Sequence, residues 1–236
     1  MLEAVLFDWG DTLMRWSPSD GMLEAGHAAG FAAIGREPSA GITDRFRDAY
    51  ITRFFTPGVV EEVEYPAEVR ALLAEFGEEV DDDELTRFLA AEHAVWAPAH
   101  HLADTTHALL ETLRERGYKL ALVSNAFDPP ELLHHDLAAL GVAERLDTAI
   151  FSSELGRRKP DPVIFREALS RIEVEPARAL FVGDTIATDI AGAAAVGMRT
   201  CQAVWFRADA DEAPEPDYRA FTQMDVLTIA ERLRRG

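Results

Sequence analysis

The second half of the chain is what most restricts its fold. From residue 106 on, short apolar runs at 119–123, 148–151, 179–182 and 199–204 alternate with helical stretches at 106–116, 130–140, 162–172, 186–196 and 227–235. Strands alternating with helices of this length join by right-handed β-α-β crossovers, which place them in a parallel sheet covered on both faces. The N-terminal run Ala4-Val5-Leu6-Phe7 adds one more buried strand. It stops abruptly at Asp8, and Gly10 then allows a sharp turn. The expected fold class is α/β, a doubly wound parallel sheet.

Residues 18–98 break the alternation and read as helical throughout. A small-residue helix is expected over 20–34, and another over 40–55, with Ile42, Phe46, Tyr50, Ile51 and Phe54 at helical spacing. A third opens on Pro66 and runs to 76. The triplet Asp81-Asp82-Asp83 reads as a helix start rather than a metal cluster. Acidic residues there complement the helix dipole, and Leu85, Phe88, Leu89 and Val95 form an apolar stripe behind them. The expected organisation is an α/β core of residues 1–15 and 99–236, with an all-helical domain, 16–98, inserted after the first strand.

Composition narrows the function. At 236 residues the chain can bury a sizeable core. A net charge of −19 disfavours nucleic acid as a partner. It also repels anionic substrates at long range, so a phosphate site needs a metal or local positive charge. No apolar run approaches the roughly 20 residues that span a bilayer. The N-terminus enters a strand with no basic, apolar leader, which reads as cytoplasmic. The single cysteine, Cys201, rules out an intrachain disulfide or thiolate cluster and reads as a core residue.

Each expected strand ends on polar residues: Asp8, then Ser124 and Asn125, then Asp184. In open α/β sheets this edge is where ligands bind. Lys159, preceded by Arg157 and Arg158, and Asp189, in the helix after Asp184, belong to the same edge. Singly, each has an ordinary reading: a turn-capping aspartate, a capping serine, a solvated lysine, a carboxylate in a first helical turn. The arginines read as solvated, and the pairs His100-His101 and His134-His135 as surface histidines.

In this order, however, four stretches resemble the haloacid dehalogenase superfamily, whose members are mostly phosphatases. They are Phe7-Asp8-Trp9-Gly10-Asp11-Thr12-Leu13, Leu122-Val123-Ser124-Asn125, Ser152 to Pro162 with Gly156-Arg157-Arg158-Lys159-Pro160-Asp161-Pro162, and Phe181-Val182-Gly183-Asp184-Thr185-Ile186-Ala187-Thr188-Asp189. The helical insertion falls where this family places its first type of cap domain.

The resemblance implies a small phosphorylated metabolite as substrate, Asp8 as nucleophile and an aspartyl-phosphate intermediate. It implies Mg2+ held by Asp8, the carbonyl of Gly10 and Asp184, with Asp189 binding the ion or orienting its waters. Lys159 would offset the charge of Asp8 and the transferring group. Ser124 and the backbone amides near Trp9 and Asn125 would bind phosphoryl oxygens, and the Trp9 indole would act sterically. The pattern departs at Gly10, where phosphatases of the family usually carry the aspartate that serves as general acid and base. The spare carboxylate, Asp11, stands one residue later and is the candidate substitute. Two alternatives stand beside this reading: halide displacement from a 2-haloacid, against which the pair Asp184 and Asp189 argues, and binding of a phosphorylated ligand without turnover.

Overall fold

The computed structural model describes residues 1–50, 52, 58–207 and 213–235. Its core is a six-stranded parallel sheet of β1 (Ala4–Phe7), β4 (Lys119–Ser124), β5 (Thr148–Phe151), β6 (Ala179–Gly183), β7 (Arg199–Ala203) and β8 (Tyr218–Ala220), in the order β5-β4-β1-β6-β7-β8. The central strands are apolar on both faces because both are covered. On one side Val5, Phe7, Leu120, Leu122 and Val182 pack with α5 (Thr106–Glu115), α6 (Pro130–Ala139) and α10 (Gln223–Arg235) through Leu109, Leu113, Leu137 and Val226. On the other, Leu6, Ala121, Val123 and Phe181 pack with α8 (Pro162–Arg171) and α9 (Ala191–Ala195) through Ile164, Phe165 and Ala193. Cys201 is fully buried in the first of these layers.

The sheet order decides where the strand ends converge. β4 and β5 lie on one side of β1, and β6 to β8 on the other. Successive connections therefore leave in opposite directions beside β1, which opens a crevice at the carboxyl edge. Phe7 is level with Leu122 on β4 and Val182 on β6. Asp8 thus emerges next to the ends of both neighbours, its amide donating to the Val182 carbonyl at 2.9 Å.

The inserted helices are α1 (Met22–Ala33), α2 (Ile42–Ala49), α3 (Tyr65–Glu75) and α4 (Asp82–Trp96). They bury a cluster of their own around Phe31, Phe46, Val69, Leu72 and Phe88, which also takes in Phe127 from the core. The small residues of α1 let it lie close to α4: a Cβ on Gly30 would sit 2.8 Å from the Phe88 ring. Asp81 caps α4 in a capping box with Glu84, so the acidic triplet is a helix start. Ile51 and Phe54 of the expected second helix lie outside the described residues.

Several elements differ from the sequence expectation. Residues 14–16 and 100–102 pair as an antiparallel ribbon, β2 (Met14–Trp16) with β3 (His100–Leu102), tying together the two chain connections to the helical block. β8 occupies what reads as polar loop. Three-residue strands carry too few side chains to show a period. α10 begins at Gln223 rather than 227, because the Asp225 carboxylate accepts the Phe221 and Thr222 amides at 2.9 and 2.8 Å and fixes the helix start earlier. The expected helix over 186–196 is a π-helical turn, Ile186–Ile190, followed by the short α9. No helix among the described residues is long and apolar enough to cross a membrane.

Candidate active site

The turn after β1 is held by its own backbone. The amides of Leu13 and Met14 both donate to the Trp9 carbonyl at 3.1 Å. The Thr12 carbonyl accepts from the Trp205 indole at 2.9 Å and from the Gln223 amide at 3.1 Å. This turn places Asp8 at the crevice, and Asp11 adopts the left-handed backbone region at φ 52°.

Asp184, at the end of β6, and Asp189, in the π-helical turn, complete the edge. Ligand oxygens of Asp8, Asp184 and Asp189 all lie within 4.8 Å of one another, and all three residues are buried. The crowding requires Gly183: a Cβ there would sit 2.5 Å from Asp189 Oδ2. Asp189 is fixed by the Thr185 amide, which donates to its Oδ2 at 3.0 Å.

Lys159 supplies the buried cation. Its Nζ is 2.5 Å from Asp8 Oδ1 and 2.7 Å from Asp189 Oδ1. Asn125 clamps the lysine's backbone from both sides. Its Oδ1 accepts the Lys159 amide at 2.7 Å, and its Nδ2 donates to the Lys159 carbonyl at 3.1 Å. The Asn125 side chain therefore holds the lysine loop, which leaves its backbone amide as the phosphoryl-facing candidate. Ser124 is buried at the end of β4, close in sequence to this clamp.

Three carboxylates face two cations, the Lys159 ammonium between Asp8 and Asp189 and the Arg207 guanidinium on Asp184, which leaves the cluster short of positive charge. Burial, together with Asp189 and Asp184, raises Asp8 to about 7 despite the opposing pull of Lys159. Burial and Asp189 raise Asp184 to about 6, against Arg207 and Lys159. Burial works against the Lys159 ammonium, but Asp189 and Asp8 outweigh it and push its pKa above the ordinary range. Asp8 and Asp184, oxygen donors whose ionisation is opposed in this way, are groups that a small divalent cation would relieve.

Arg207 is a site residue that sequence reasoning missed. Its Nε is 2.5 Å from Asp184 Oδ2 and 3.3 Å from Asp11 Oδ2, and its Nη2 donates to Thr185 Oγ1 at 2.8 Å. The one available signal was a basic residue just beyond a strand end, in Trp205-Phe206-Arg207.

The surface expectations for His100 and Arg158 are corrected. Trp9 is buried with its ring edge-on to His100 at 6.4 Å. His100 is not a surface residue: it lies against Trp9 and Trp16, with its Nδ1 3.5 Å from Asp136 Oδ2. His101, His134 and His135 are exposed as expected. Arg158 is not solvated; it pairs with Glu62 at 3.0 Å, whereas Arg157 pairs with Glu61 at 2.8 Å on a more open surface.

The doubly wound sheet carries a buried lysine and an acidic cluster at its switch point, where open α/β enzymes bind their ligands. A haloacid dehalogenase-like hydrolase family model matches residues 2–197. The chain is 31% identical to a phosphoserine phosphatase of Thermus thermophilus, over 98% of this chain and 100% of that one. It is 50% identical over 91 residues to haloacid dehalogenase-like hydrolase domain-containing protein 3 of Mus musculus, a match covering 39% of this chain and only 35% of the mouse protein. In fold alone it is similar to a solved 2-haloacid dehalogenase of Pseudomonas syringae, with a TM-score of 0.70 at 24% identity over 98% of this chain and 99% of that one. The chain belongs to the haloacid dehalogenase-like hydrolases.

Proposed function

We propose that this hydrolase is a Mg2+-dependent phosphatase of small phosphate monoesters. The observation that carries the reading is the three-carboxylate cluster, with Lys159 seated between Asp8 and Asp189. Asp8, Asp184 and the Gly10 carbonyl would hold the ion, with Asp189 binding it or orienting its waters. When bound, the ion supplies positive charge at the phosphoryl oxygens.

Asp8 attacks phosphorus as the phosphorus–oxygen ester bond breaks, and water then cleaves the aspartyl phosphate to regenerate the carboxylate. Lys159 offsets negative charge on Asp8 and the transferring group. The Ser124 hydroxyl and the amides near Trp9 and Asn125 are assigned the phosphoryl oxygens. Residues 16–98 are assigned the role of a cap that closes over this edge, excludes water and selects the substrate.

Halide displacement uses the same nucleophile without a metal, and the crowded pair Asp184 and Asp189 then has little use beyond pairing with Arg207 and Lys159. The test is Asp8→Asn, which removes the nucleophile at nearly constant shape. Turnover of p-nitrophenyl phosphate with Mg2+ is expected to vanish while the melting temperature holds. Near wild-type turnover by this variant, or full activity in chelator, refutes the proposal.

A further inference from the structure

Outside the acidic cluster, one buried carboxylate of the helical block links to two of the loops that carry the core's site residues, one directly and one through Ser152. Glu62 lies between α2 and α3, with its side chain 1% exposed. Its Oε1 is 3.0 Å from Arg158 Nη2 and accepts the Val63 amide at 2.8 Å. Its Oε2 accepts the Ser152 hydroxyl. Ser152 Oγ in turn accepts the amide of Ala126 at 2.8 Å, directly after Asn125. Arg158 directly precedes Lys159. The backbone reinforces the contact. The Glu62 amide donates to the Gly156 carbonyl at 3.0 Å and the Arg158 amide to the Val60 carbonyl at 2.9 Å, so residues 60–62 run antiparallel beside 156–158.

We propose that Glu62 is a positioning residue for the reaction: it sets Lys159 through Arg158, and the Ser124–Asn125 loop through Ser152 and Ala126. The inference rests on the phosphatase reading. A carboxylate and a guanidinium withdrawn from water and paired at 3.0 Å tie each other's positions, because separating them would leave buried charge uncompensated. With the helical block seated, Glu62 therefore holds the lysine loop and the phosphoryl-binding loop in one arrangement. When the block lifts, both loops lose that restraint. Closing the block and assembling the site become one event, which confines the reactive geometry to the closed state.

The test compares wild type with Glu62→Gln, Glu62→Asp and Glu62→Ala, using p-nitrophenyl phosphate with Mg2+ and amide hydrogen exchange. In Glu62→Gln, which is nearly isosteric, kcat should fall about 10- to 100-fold with KM little changed, as expected of loops displaced by a fraction of an ångström. Exchange should quicken at 124–126 and 156–159 and stay unchanged in β1 and α5. Glu62→Asp should recover part of kcat. If Glu62→Ala does not fold, the other two variants carry the test. A folded Glu62→Gln with wild-type kcat and wild-type exchange in both loops overturns the inference, as does a variant that only melts earlier. A wild-type protein that hydrolyses no phosphate ester refutes the phosphatase reading instead, and the exchange comparison still reports whether Glu62 holds the two loops.

Discussion

Replacing Gly10 with aspartate tests whether a missing general acid and base limits turnover under the phosphatase proposal. Phosphatases resembling it usually carry an aspartate there to protonate the leaving alkoxide and then deprotonate water. The structure has room for one: a Cβ on Gly10 meets nothing within 4 Å, and its backbone is outside the left-handed range. Asp11 is already engaged, with its Oδ2 3.3 Å from the Arg207 guanidinium. General acid–base help is worth about 10²–10⁴-fold, or about 2.7–5.4 kcal/mol of barrier. A further carboxylate beside Asp8, Asp184 and Asp189 adds repulsion, of about 1–4 kcal/mol at contact distance in water-like to surface-like surroundings. A divalent cation held at the cluster would offset most of it, so the expectation is the low end of the range, about 100-fold.

The assay is kcat/KM for glycerol phosphate against p-nitrophenyl phosphate. The wild type should favour the aryl ester, whose leaving group needs little protonation. Gly10→Asp should raise the alkyl rate about 100-fold and leave the aryl rate nearly unchanged. A folded Gly10→Asp with the wild-type alkyl rate refutes the reasoning. Loss of alkyl turnover in Asp11→Asn, with stability intact, also refutes it and makes Asp11 the substitute acid.

Lys159→Ala should lose several orders of magnitude in kcat, read on p-nitrophenyl phosphate with Mg2+ saturating, because Asp8 and Asp189 are left facing each other without the ammonium between them. Chelator should abolish turnover and added Mg2+ restore it; Asp184→Asn should weaken Mg2+ binding in calorimetry without substrate present. A pH effect is expected at His93 of α4, whose Nδ1 and Nε2 each lie 2.9 Å from a core carboxylate, Asp128 and Asp136. Burial works against its charge, but those hydrogen bonds outweigh it and raise His93 from 6.5 to about 9. The folded state therefore binds this proton more tightly. The contribution, about 3 kcal/mol at most, is complete below pH 6.5 and is lost as pH rises through 9. Glu92, raised by burial to about 8, also costs stability as pH rises. The measurement is therefore the difference in urea stability between wild type and His93→Gln across pH 6 to 10, and a difference that does not shrink with pH refutes the assignment.

What the sequence determined by itself was the parallel sheet and the order of its strand ends. The runs around Val5, Leu122 and Val182 are buried on both faces, and such runs are readable because burial on both faces leaves no polar residue to interrupt them. Asp8, Ser124, Lys159, Asp184 and Asp189 were legible as a set because each ends a run or belongs to a motif. Their geometry was not, because register is a property of strand pairs: only the alignment of Phe7 with Leu122 and Val182 brings residues so distant in sequence to one edge. The tertiary structure alone decided the partners of Arg207, His93 and Glu62. Each meets partners far away in the chain, as Glu62 meets Ser152 and Arg158, and no local period or spacing records such a meeting. It also decided that His100 and Arg158 are withdrawn from solvent, since two adjacent polar residues look the same in sequence whether they face water or a partner.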